Sequence, residues 1–101
     1  MILVRQVFQI KYGQMDKVLA LLKAAEESMQ GSSYISRVLT DISGKNFTLV
    51  LEIKAESMEA WWNTMQQNFQ DPERRAQSDP LMEYVESGYK EFYTIEYEAE
   101  N

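Results

Sequence analysis

A chain of 101 residues, 45% hydrophobic and 26% charged, has the size and composition of one soluble globular domain able to bury about two thirds of its unfolded surface. Its net charge of −6, from 16 acidic and 10 basic residues, repels a phosphate backbone and argues against nucleic acid as a partner. The lack of cysteine and histidine removes disulfides, thiolate nucleophiles, Cys-type zinc sites, Ser-His-Asp triads, haem ligation by histidine and facial iron triads, leaving acid–base work to carboxylates, tyrosines and lysines.

Ile2 to Ile10 (ILVRQVFQI) is rich in β-branched and aromatic residues and reads as the first strand. Ile2, Val4, Phe8 and Ile10 fall on one face, while Leu3 and Val7 share the other with Arg5, the pattern of a strand buried on both sides. The opening Met1-Ile2-Leu3-Val4 runs into Arg5 without the order of a signal peptide, so a cytoplasmic protein is expected. After Gly13, the residues Met15, Val18, Leu19, Leu22, Ala25 and Met29 recur at helical spacing, with Gln30-Gly31-Ser32-Ser33 as the stop. The longest apolar stretch, Val18 to Leu22, is too short to cross a membrane.

Tyr34 to Ile42 and Phe47 to Ala55 read as two strands of a hairpin around Ser43-Gly44-Lys45-Asn46. A second helix begins near Ser57, a preferred N-cap. Asp71-Pro72 and Asp79-Pro80 each pair a capping residue with a proline suited to the first helical position, predicting a broken helical segment from 72 to about 86. Lys90 to Tyr97 is the last strand, so that 1–97 form one domain and 98–101 a frayed C-terminal tail. The order is β-α-β-β-α-β with an extra helical segment before the last strand, an α+β ferredoxin-like fold with one sheet and helices on one side. The acidic residues lack the spacing of a cation loop, and neither a metal nor a cofactor is expected.

The four-residue loop sets a register: Ile42 with Phe47, Thr40 with Leu49 and Val38 with Leu51 on one face, and Asp41 with Thr48, Leu39 with Val50 and Arg37 with Glu52 on the other. Because the first strand lies beside the third in this fold, Arg5 is brought near Glu52, making an Arg5, Glu52, Arg37 row. Such a row serves either as a charge-balanced ladder or as a clamp for an anion or carboxylate. Helices are available for only one face of the sheet, so the other calls for a partner, and a homodimer packing sheet to sheet is the simplest cover.

This layout, with VLTDISGKNFTLVLEIKAESMEAWW (38 to 62), NFQDPERRA (68 to 76) and ESGYKEFYTIE (86 to 96), resembles the dimeric α/β-barrel superfamily and, within it, small bacterial NIPSNAP-like proteins. The resemblance implies a dimeric barrel holding a small organic molecule between sheet and helices. Relatives include cofactor-free monooxygenases, haem-degrading enzymes, isomerases and members without established chemistry. Haem degradation of that type uses Asn, Trp and His; here Asn63 with Trp61 or Trp62 stand for the first two and the histidine is missing.

Three functions follow. The leading one is a NIPSNAP-like protein binding a small apolar or aromatic molecule. Another is a cofactor-independent monooxygenase or isomerase of quinone-like or polycyclic aromatic substrates, with Arg5 or Arg37 steering an anionic oxygen and Trp61 or Trp62 stacking on the ring. The third is a non-catalytic interaction subunit without a pocket. Tyr89, following Gly88 at a strand entrance, is a further pocket candidate. On a helical wheel centred on Met58, with Met65 and Phe69 within about 20°, Trp61 falls about 60° to one side and Trp62 about 40° to the other. Both therefore flank one apolar stripe, with Trp62, beside Asn63, expected to border the cavity and to be needed for binding.

Overall fold

The computed structural model describes residues 1–28 and 35–99. Strand β1 (Ile2–Ile10), helix α1 (Met15–Ser28), β2 (Ile35–Thr40), β3 (Thr48–Ala55), α2 (Met58–Gln70), α3 (Pro72–Met82) and β4 (Val85–Thr94) follow in chain order. The strands form one antiparallel sheet ordered β2-β3-β1-β4, the ferredoxin-like arrangement expected. Tyr34, Met29 and the helix stop assigned to 30–33 lie outside the described residues.

Alternation assigns the two faces. Ile2, Val4, Gln6 and Phe8 of β1 stand beside Ala55, Ile53, Leu51 and Leu49 of β3, on the face that the helices cover. There Val4 and Ile53 pack with Trp61, while Ile10, Leu49 and Leu51 pack with Val18 of α1 and Leu81 of α3. Removing this apolar surface from water supplies the main driving force for docking the helices. Gly88 pairs with Phe8 on the same face, and a Cβ there would lie 2.7 Å from Phe8 Cδ1. A side chain at 88 would push the Phe8 ring off its place.

The hairpin register is as the sequence implies: Arg37 with Glu52, Val38 with Leu51, Leu39 with Val50 and Thr40 with Leu49. The turn itself is wider. Ile42 is fully exposed instead of pairing with Phe47. Phe47 instead takes a left-handed φ of 61°, its carbonyl accepting from Ile10 N at 2.8 Å. The Asp41 carboxylate accepts from Thr48 N at 2.9 Å, supplying the bond that a regular ladder would draw from a backbone carbonyl.

Caps behave as read at two of three sites. Ser57 Oγ accepts from Ala60 N at 3.0 Å, and Asp71 Oδ1 accepts from Glu73 N at 3.0 Å ahead of Pro72. Asp79-Pro80, in contrast, starts nothing: Pro80 lies inside α3, which runs on to Met82. So near the helix end, the missing N–H costs a single bond of a ladder about to stop. The last strand also begins at Val85, earlier than Lys90, and stops at Thr94, because β1 pairs with it from Ile10↔Val85 to Ile2↔Thr94 with one irregularity near Gln9. Beyond it, Ile95 N donates to Met1 O at 3.1 Å and Glu98 pairs with Lys54.

The two indoles part company. Trp61 is 6% exposed and Trp62 55%, which corrects the expectation that both flank the buried stripe. Met58 and Phe69, used to centre that stripe, are 49% and 72% exposed. Burial instead follows Trp61, Met65 and Asn68, a line turned about 50° around the helix. Which side of α2 meets the sheet is decided by Val4, Ile53 and Phe92, the last in edge-to-face contact with Trp61 at 5.1 Å.

Candidate functional site

Among the described residues, a concave surface lies on each face of the sheet. The first, of about 350 Å³, is between the sheet and all three helices. Phe8, Leu51 and Ile35 line it from the strands, Leu22 from α1, Met65 and Phe69 from α2, and Leu81 and Met82 from α3. Into this apolar wall are set Gln6, Asn68, Arg74 and Arg75. Asn68 Nδ2 is shielded from solvent without a hydrogen-bond partner, a costly arrangement that a carbonyl or phenolate oxygen would relieve. Arg75 lies 5.2 Å from the Phe69 ring and 3.7 Å from Asp79.

The second surface is the helix-free face. Four charges cross it in one row, one from each strand: Arg37, Glu52, Arg5 and Glu91. Glu52 is central and only 5% exposed. Arg37 Nε donates to its Oε1 at 2.6 Å, Arg5 Nε lies 3.4 Å from Oε2, and Arg5 Nη1 donates to Glu91 Oε1 at 2.9 Å. The next row is Leu39, Val50, Val7 and Tyr89, floor and sides of a trough of about 510 Å³ bounded also by Asp41, Ser43 and Lys45.

The Tyr93 phenol donates to Glu91 Oε2 at 3.0 Å. That bond and the nearby carboxylate charge raise the Tyr93 pKa above its ordinary 10.0. Because the neutral phenol is the favoured form in the fold, its contribution is complete below the unfolded pKa and is lost as pH rises through the folded one. In an NMR titration, the Tyr93 ring should therefore ionise above pH 10.0, and Glu91→Gln should bring it down. An unmoved midpoint would refute the assignment.

The residues singled out in the sequence divide among three places. Arg5, Arg37, Glu52 and Tyr89 come together on the helix-free face. Trp61 is packed on the sheet, and Trp62 and Asn63 are exposed on α2; none of the three lines the cavity or the trough. The cavity's polar groups, Gln6, Asn68 and Arg74, were missed. Asn68 carried a signal, since it lies seven residues after Trp61, on the same side of the helix.

No family model and no curated protein matches the chain. Solved structures do. An uncharacterised NIPSNAP domain protein from Burkholderia xenovorans superposes with a TM-score of 0.86 over 100% of both chains at 14% identity. A NIPSNAP family protein from Agrobacterium tumefaciens gives 0.82 over 92% of this chain and 90% of that one, at 15% identity. The fold is that of the NIPSNAP domain proteins. A candidate antibiotic biosynthesis monooxygenase from Nitrosomonas europaea shares it less closely, at 0.71 over 96% of this chain and 100% of its own, with 11% identity. In this NIPSNAP fold no described helix is long and apolar enough to cross a membrane. Among the described residues, no group of three or more His, Cys, Asp or Glu side chains is placed to hold a metal.

Proposed function

We propose that the chain binds a small, mainly apolar or aromatic molecule between sheet and helices, and that a second copy covers its helix-free face. The observation that carries the first part is the cavity of about 350 Å³, within the range of small-molecule sites. Its wall is apolar, with the Asn68 amide and the Arg74 guanidinium as the convergent polar groups that such sites use for orientation. The guest is accordingly a compact hydrophobe carrying an oxygen acceptor. Trp61 and Trp62 hold and border α2 without touching the guest.

Filling the cavity tests this. Leu81→Trp should leave the circular dichroism spectrum unchanged and abolish the thermal shift given by whichever naphthoquinone or anthrone, from a panel, stabilises the unaltered chain. Asn68→Ala should weaken that shift without removing it. Binding undiminished in Leu81→Trp would overturn the reading.

A second reading, cofactor-independent oxygenation of a quinol-type substrate, draws on the same buried amide and on the likeness to the Nitrosomonas protein. Such chemistry asks the protein only to position the substrate and supply one or two polar contacts. Oxygen uptake with quinols and anthrones is its assay, and no turnover across a broad panel counts against it.

The second copy is supported by Leu39, Val50, Val7 and Tyr89, an apolar row on a face that no described element covers. Sedimentation at micromolar concentration should give twice the 11.8 kDa chain mass.

A further inference from the structure

Gly88 differs from Gly13 and Gly44 in what it is for. Those two take left-handed φ values of 75° and 86° between elements, and nothing lies within 4 Å of the position a Cβ would take. Gly88 lies inside β4 without a left-handed φ, and its Cβ position is already filled. Phe8 Cδ1 is 2.7 Å from that position, Val7 O 3.1 Å and Phe8 Cε1 3.2 Å, against the 3.4 Å at which ordinary contact begins. Glycine weakens a strand interior and marks a place where another group comes close. Here the group is one edge of an aromatic ring, lying sideways over β4 where a side chain would stand.

The same ring is a wall of the cavity between sheet and helices, which Phe8 lines together with Gln6 and Leu51. Its surroundings are unequal. Leu49, its partner on β3, and Ile10, next along the same face of β1, are 0% and 1% exposed in the packed cluster that also holds Val18 and Leu81. Close-packed neighbours of that kind do not yield to a displaced ring. A methyl group at position 88 would therefore drive the ring toward the one side with free volume, the cavity. Gly88 does not itself line that cavity.

We infer that Gly88 sets the largest guest the cavity admits, by letting the Phe8 ring lie over β4 and not across the binding space. The inference rests on the reading that a small molecule binds between sheet and helices. Gly88 is then a positioning residue for that site, acting through Phe8 from outside the lining. Its lack of a side chain is a matter of space and not of backbone conformation.

Indanone and fluorenone test this, because they carry the same ring ketone and differ by a fused benzene ring. In Gly88→Ala, fluorenone should bind at least about tenfold more weakly, and indanone within about threefold of its affinity for the unaltered chain. Adding Phe8→Leu to that variant removes the ring and should return fluorenone to within about threefold of its original affinity. Phe8→Leu alone, which asks nothing of β4, should shift the preference further toward the larger ketone. A glycine that mattered only to the strand would lower both affinities together and would not be rescued at position 8. Either result would overturn the inference. So would a crystal structure of Gly88→Ala with the Phe8 ring in its original place, a result that needs no guest. An unaltered chain that binds neither ketone, while the ring in Gly88→Ala has moved as expected, would instead defeat the reading beneath it.

Discussion

Replacing Trp61 by alanine should destabilise the protein by about 3–5 kcal/mol, whereas the same change at its neighbour Trp62 should cost less than about 1 kcal/mol. Trp61 is 6% exposed and packs on Val4, Ile53 and the Phe92 ring; Trp62 is 55% exposed. The alanine at 61 leaves a void that a helix lying on a sheet cannot close by moving, because Met65 and the second core cluster hold the rest of α2 and α3 in place. An intermediate value is expected for Trp61→Phe. It leaves a smaller hole and also removes Trp61 Nε1, a donor buried without a partner. Urea denaturation at one fixed chain concentration measures all three, since association would otherwise add to the apparent stability. Equal losses at 61 and 62 would contradict the placement of α2. Neither substitution should alter guest binding by the folded protein, since neither indole lines the cavity.

Glu52→Ala should cost about 1–3 kcal/mol, clearly more than Arg37→Ala at about 0–1 kcal/mol. The asymmetry comes from position. Glu52, 5% exposed, holds two arginines at once, so its removal breaks both contacts, whereas removal of Arg37, whose side chain is 66% exposed, leaves Glu52 beside Arg5 at 3.4 Å. Losses of 3–5 kcal/mol, typical when one member of a fully buried pair is removed, are not reached, because Arg5 keeps Glu91 at 2.9 Å. A double-mutant cycle between positions 5 and 52 isolates their coupling. Glu52→Ala costing no more than Arg37→Ala would show the row to be a surface ornament.

Both outcomes bear on how the helix-free face works. A buried carboxylate that ties β2 to β1 through β3 keeps the four charges at regular spacing across the sheet. On the covered face the requirement is different: a cavity whose apolar walls come from every helix, with a few polar groups turned inward.

Local interactions are what the sequence by itself determined. Strand alternation and a short Gly-containing turn set the β2–β3 register, so Arg37 beside Glu52 and Leu39 beside Val50 were readable from residues fewer than twenty positions apart. Ser57 and Asp71 announce their helices because a cap needs only its own side chain and the next turn. The neighbouring Asp79-Pro80 carries the same local signal, but the packing of α3 carries the helix through it to Leu81, which is buried in the core.

Only the tertiary structure decided the rest. Glu91 joins the charge row through the pairing of β1 with β4, whose register no turn dictates across 86 residues of chain. The cavity draws Gln6, Asn68 and Arg74 from a strand and two helices that have no sequence relation to one another. The tryptophan pair shows the same limit on a smaller scale. Periodicity says that α2 has an apolar side, but Met58, Trp61, Trp62, Met65 and Phe69 span an arc too wide to be buried whole. The contour of Val4, Ile53 and Phe92 on the sheet, and not anything within the helix, turned Trp61 inward and left Trp62 outside.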